Sequence, residues 1–208
     1  MTTENGDLWI FGYGSLMWRP GFDYVERLPV RLHGYHRAFC VWSHRYRGTP
    51  ERPGLVLGLD RGGSCLGIAY RIAPEKQDTV LAYLHEREMI TGVYDPRDLP
   101  VFDSVSDRRI VAQSYVVDRS HTQYAANLTA EQRAALIIQG VGTAGPCRDY
   151  LANTVAHLFD LGIPDRRLGN LLKTVDAMLA GDLAIPPVPE GPPAHPANEP
   201  DVRPEAES

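Results

Sequence analysis

"WIFGYGSL", residues 9–16, is the stretch on which the reading of this chain turns. Trp9, Ile10 and Phe11 form a short apolar run, and it stops where Gly12 and Gly14 bracket Tyr13, with Ser15 next. Strand interiors disfavour glycine unless something must approach the backbone closely. The segment therefore reads as a buried strand over 7–13 that ends in a glycine-bracketed phenol followed by a hydroxyl. A dinucleotide fingerprint is excluded, because Met17 holds the third glycine position of G-x-G-x-x-G, and no Gly-Lys-Ser/Thr marks a P-loop. On spacing alone two readings remain: a plain bend after a strand, or a small nest of backbone N–H groups pointing into a cavity.

Working outward, strand signals dominate the first half of the chain. Residues 29–43, "PVRLHGYHRAFCVWS", are β-rich with Gly34 as a bulge or bend. "LVLGLD" (55–60) and "SCLGIAYRI" (64–72) read as two strands joined through Arg61, Gly62 and Gly63 as a hairpin. Residues 99–117 suggest a further antiparallel pair. A helix is predicted over 74–89, with Pro74 in its first turn and Glu75 and Asp78 near its positive end. Three more follow: one capped by Thr129 with Gln132 in the capping-box position, one over 147–162, and one over 165–181 with Asp165 as its cap. Strands first, helices last and no βαβ alternation predict an α+β fold with an antiparallel sheet or barrel.

The composition, 43% apolar and 23% charged over 208 residues, is that of an ordinary globular chain. The net charge of −5 is concentrated at one end. From Ala184 onward the chain holds eight of its 17 prolines, and Glu190, Glu199, Asp201, Glu205 and Glu207 face the single base Arg203. Such a segment buries too little apolar surface to offset its ordering entropy, so residues 184–208 are expected to be a disordered Pro-rich acidic tail behind one domain, 1–183. The near-neutral remainder lacks the basic stripe of a nucleic-acid binder. No run approaches the roughly 18 apolar residues of a membrane span, and the first residues lack the features of a signal peptide. Cytoplasm is the expected compartment. Cys40, Cys65 and Cys147 are scattered and odd in number, which suggests reduced, buried thiols.

One carboxylate is out of place. On the helix 74–89, Leu81, Leu84 and Glu88 fall at i, i+3 and i+7, so Glu88 continues an inward apolar stripe while Glu86 points away. A carboxylate there is costly unless paired or neutral, and burial lifts its pKa toward the range of a general base. An ion pair with Arg87 at the helix end is the alternative. Arg45, Arg47 and Arg52 in "SHRYRGTPERPGLV" (43–56) offer bidentate grips on a carboxylate, or form a solvated loop. "GVGTAGPCRDY" (140–150) joins two helices, with Tyr150 one turn into the second. The seven histidines form no ligand set, so no metal is expected.

Taken together, "FGYGSLMW", "HRYRGTPERPG", "GIAYRI", "YLHERE" and "GPCRDYLANTVAHLFDLGIPD" resemble, in order, the ChaC-type γ-glutamylcyclotransferases from about residue 8 to 180. The resemblance implies a small antiparallel β-barrel flanked by helices and cleavage of glutathione to 5-oxoproline and cysteinylglycine, with no cofactor and no metal. It places the catalytic glutamate at Glu88 and the substrate loop at Ile10, Phe11, Gly12, Tyr13, Gly14 and Ser15. It also suggests substrate contacts for Tyr150 and for Arg47 or Arg52. The expected partner is a small molecule, neither nucleic acid nor membrane; the oligomeric state, monomer included, is left open. Two departures stand out: "REMITGVY" is two residues longer after Glu88 than the family's usual "REKxGY", and His85 replaces its aspartate. A cyclotransferase for other γ-glutamyl amino acids or amines, or a non-catalytic binding module, are the competing readings.

Overall fold

The computed structural model describes residues 7–88 and 92–193. The chain divides into two units, one drawn from Met1–Arg37 with Leu59–Asp118, the other from Ala38–Gly58 with Arg119–Ser208.

The barrel strands are β1 (Leu8–Gly12), β2 (Glu26–Ser43), β3 (Gly54–Ile72), β4 (Tyr94–Asp103) and β5 (Arg109–Val117), in the closed order β1-β3-β2-β4-β5. In the first unit β1 runs antiparallel to β3, from Leu8 opposite Ile72 to Gly12 opposite Ile68. β4 and β5 pair from Tyr94 opposite Val117 to Phe102 opposite Arg109. The ring closes through a parallel contact, Ile10 with Gln113, while the pairs β1–β3, β2–β4 and β4–β5 are antiparallel as expected. A parallel pair needs a long crossover, and here about a hundred residues of chain separate the two strands. Ile10, Phe11, Leu32, Leu59, Ile72 and Val101 are fully buried in this unit.

The expected hairpin at residues 61–63 is not formed. β3 is one continuous 19-residue strand. Gly62 (φ 104°) and Gly63 (φ 69°) bend it instead of reversing it, because only glycine takes these values without a Cβ penalty. The helix expected over 74–89 is a 3₁₀ turn, Pro74–Lys76, leading into α1 (Gln77–Glu88). Its buried residues are Val80 and Leu84, and Leu81 is half-buried.

The second unit holds α2 (Ala130–Gln139), the two-residue strands β6 (Val141–Gly142) and β7 (Gly145–Pro146), α3 (Cys147–Asp160) and α4 (Arg166–Ala180). The caps are those expected. Thr129 accepts from the Gln132 amide while the Gln132 side chain accepts from the Thr129 amide, and Asp165 accepts from the amides of Arg167 and Leu168. Phe39, Leu55, Leu136, Ile137, Leu151, Leu158 and Val175 make its core. All three cysteines are free and buried. Residues 184–193 carry no helix or strand, and the rest of the expected tail lies outside the described residues.

Candidate functional site

The first unit assembles the residues around the end of β1. There the chain enters a 3₁₀ turn, Ser15–Met17, whose first hydrogen bond runs from the Met17 amide to the Gly14 carbonyl (2.9 Å). The amides of Ser15 and Leu16 precede that bond, as the first amides of any helical turn do. Gly12 has an internal reason: a Cβ there would stand 3.1 Å from Leu16 Cβ. Gly14 and Ser15 are half-buried, Tyr13 is buried, and the Ile10 and Phe11 side chains are fully buried on opposite faces of β1.

Three side chains that the sequence did not single out fix this loop. Arg37 on β2 is 3% exposed and donates to the carbonyls of Tyr13 and Leu66. The Tyr70 hydroxyl donates to the Met17 carbonyl (2.8 Å) and the Ser114 hydroxyl to the Phe11 carbonyl (3.2 Å). A signal for Arg37 existed. Val30 and Leu32 are buried at even positions, and Gly34, at φ 84°, resets the alternation so that Arg37 turns inward.

The last turn of α1 carries Glu88. The Glu88 side chain is 19% exposed, and its Oε1 lies 3.3 Å from Arg87 Nε. Arg87 Nη2 donates to Ser15 Oγ (2.7 Å), and Nη1 donates to Tyr83 Oη (2.7 Å) and to the Arg19 carbonyl (3.3 Å). One guanidinium thus links the "YGSL" loop to Glu88. The ion pair that the sequence offered as an alternative forms, yet burial outweighs Arg87's charge and hydrogen bond and holds the carboxyl above its ordinary 4.5. Tyr115 on β5 feels the same charge; burial first, then Glu88, pushes its hydroxyl up to about 12. A buried carboxyl with its pKa raised and a cation fixed beside it has the character of a group that exchanges protons with a ligand. Glu86 is exposed, as its helix phase requires. The longer segment after Glu88, residues 89–91, lies outside the described residues.

In the second unit Arg47 and Tyr150 come together, with the Arg47 guanidinium 4.9 Å from the Tyr150 ring centroid. Arg47 Nη1 also donates to the carbonyls of Ala144 and Pro146. The arginine loop is bound to the glycine turn: the Thr143 amide donates to Arg45 O (2.8 Å) and the Ala144 amide to Tyr46 O (3.0 Å). Gly140 and Gly142 permit this closeness, since a Cβ on either would lie 2.4 Å from Arg47 O or 2.2 Å from Arg45 O. Arg52 is exposed.

Among the described residues no group of three or more His, Cys, Asp or Glu could hold a metal ion, and no helix is long and apolar enough to cross a membrane.

Comparison with known proteins bears on these residues. The chain is 38% identical over 177 residues to the glutathione-specific gamma-glutamylcyclotransferase of Escherichia coli K12, covering 85% of this chain and 76% of that one. It is 35% identical to gamma-glutamylcyclotransferase 2-3 of Arabidopsis thaliana, covering 83% of this chain and 90% of the relative. The crystal structure of a yeast gamma-glutamylcyclotransferase specific to glutathione superposes with a TM-score of 0.73 at 24% identity, covering 82% of this chain and 96% of that one, which shows the shared fold. The profile of ChaC-like proteins matches residues 8–178, a span that takes in the "YGSL" loop, Arg87, Glu88 and Tyr150, and with it the chain belongs to the ChaC-like family.

Proposed function

We propose that this protein is a glutathione-specific γ-glutamylcyclotransferase that acts through Glu88 as general base. The observation that carries the reading is Glu88 itself: a mostly buried carboxyl of raised pKa, tied through Arg87 to Ser15. The naming of the relatives supports the substrate. The α-amine of a γ-glutamyl group is an ammonium near neutrality and cannot attack. Glu88 removes one of its protons. The amine then attacks the γ-carbonyl carbon of the same molecule, a bond forms between them, and the tetrahedral centre collapses with loss of the cysteine nitrogen. That nitrogen takes the proton back from Glu88, and the ring nitrogen passes its second proton to the released amine, which leaves as an ammonium. The products are 5-oxoproline and L-cysteinylglycine, and no water is consumed. Nucleophile and electrophile share one molecule, so holding it folded back supplies much of the acceleration.

The loop Ile10–Ser15 is the proposed binder of the γ-glutamyl end. Ile10 and Phe11 set its position, the amides at Gly14 and Ser15 take the α-carboxylate, and the Tyr13–Ser15 donors steady the oxyanion. In the second unit Arg47 already engages two carbonyls and shapes its loop with Tyr150, so of the two arginines it is exposed Arg52 that we propose to grip a carboxylate. The reading also carries a cytoplasmic location and a catalytic domain over 1–183 with residues 184–208 as an accessory tail.

The test is incubation with reduced glutathione, following 5-oxoproline and cysteinylglycine by mass spectrometry, beside Glu88→Gln. Gln keeps the shape but cannot accept the proton, so kcat is expected to fall by about 10²- to 10⁴-fold. Equal product from both would remove Glu88 from the mechanism. Turnover of γ-glutamyl amino acids or amines in place of glutathione would transfer the reading to the broader substrate class.

A further inference from the structure

Arg87 and Glu88 are adjacent on a helix, and adjacent residues point about 100° apart rather than at each other. Their ion pair therefore depends on what bends the arginine across. Two contacts do so. Ser15 takes Nη2 from outside the helix, and Tyr83, one turn earlier on the same face, takes Nη1 at 2.7 Å. The Tyr83 ring also lies 5.9 Å from the guanidinium carbon.

Tyr83 is itself held with little freedom. Phe22 meets its ring edge-on at 6.4 Å. Gly21, at φ 74°, lies directly against its hydroxyl: a Cβ there would stand 2.1 Å from Tyr83 Oη. Gly21, Phe22 and Tyr83 are among the residues lining a cavity of ≈ 510 Å³ that neither Ser15 nor Glu88 lines. Gly21 thus reserves the space into which the phenol must reach.

We propose that Tyr83 is a positioning residue for the reaction: seated on Gly21, it holds the Arg87 guanidinium where that group joins Ser15 to Glu88. The proposal rests on the reading that Glu88 is the base. Among the described residues the ionisable groups that act on or respond to Glu88 are Arg87 on its own helix and Tyr115 on β5; Tyr115 stays neutral at any working pH, so burial raises the carboxyl and the Arg87 guanidinium is the charge that opposes it. Loosening Arg87 withdraws the influence that favours the ionised form. The base then needs a higher pH to be charged.

The experiment uses Tyr83→Phe, which keeps the ring and removes only the hydroxyl, and Gly21→Ala, which displaces the hydroxyl without removing it. The Glu88 carboxyl is titrated by NMR in the free protein, and kcat/KM for glutathione is measured across pH. Both variants are expected to raise the Glu88 midpoint and to move the acid limb of kcat/KM upward. The loss is about three- to tenfold below the limb and small on the plateau. An unmoved midpoint in folded Tyr83→Phe overturns the proposal, and so does a loss that is equal at every pH. A moved midpoint in a protein that makes no 5-oxoproline upholds the positioning role while the cyclotransferase reading falls.

Discussion

Replacing Arg37 with methionine is the sharpest test of how the barrel holds its loop. Arg37 is 3% exposed, and its guanidinium donates to two carbonyls, Tyr13 O and Leu66 O. Methionine recovers most of the buried stem but leaves both acceptors without this donor. A buried polar group left unpaired costs about 1–3 kcal/mol, so the pair gives about 2–6 kcal/mol. Removing a buried cation returns part of its desolvation cost, which points to the lower half, about 2–4 kcal/mol. For a chain of this size that is a fall in Tm of about 4–16 °C. Urea denaturation followed by far-UV circular dichroism gives the free-energy change, and glutathione turnover at a temperature where the variant is folded gives the second readout. Activity should fall further than the loss of folded protein explains, because the Tyr13 carbonyl sets the direction of the Gly14 and Ser15 amides that follow it. A change under about 1 kcal/mol with full activity would refute the reasoning, since it would mean that water satisfies both carbonyls at no cost.

Two further outcomes follow from burial. Because Glu88 titrates above 4.5 in the folded protein, the folded state binds more protons than the unfolded between 4.5 and the raised value, and its contribution to stability falls as pH rises through that window. Glu88→Gln does not titrate, so its urea midpoint should gain on the wild type from pH 4.5 upward and then level off; a margin that shrinks with rising pH would contradict the raised pKa. The thiols of Cys40, Cys65 and Cys147 are buried, and burial pushes Cys147 up to about 12, so an aromatic disulfide reagent should label none of them quickly before denaturant is added. Native labelling of Cys147 at the rate of a free thiol would show that its cover opens readily.

Much of this architecture was legible in the chain because its signals are local. Thr129 with Gln132 and Asp165 mark helix starts by side chains that cap amides two or three residues away, and the structure forms each bond. Glu88 was visible because helix periodicity alone puts it near the inward side of α1 while Glu86 points out. The glycine-bracketed loop at 12–15 was equally plain as the place where a strand gives way to something else.

What the sequence could not show are contacts between residues remote along the chain. Ser15 and Arg87 are 72 positions apart, and Phe11 and Ser114 are 103 apart. Local propensity is also indifferent to whether Gly62 and Gly63 reverse a strand or bend it; the pairing partners on either side decide, and they made β3 continuous. Arg37 shows the same division. Its charge argued for the surface, and only the bend at Gly34, together with two inward carbonyls waiting for a donor, made the interior its lower-energy place. By itself the sequence determined which segments are helix or strand and which carboxylate is anomalous. The tertiary structure decided what surrounds that carboxylate, because desolvation and hydrogen bonding depend on neighbours that only the closed barrel brings within reach.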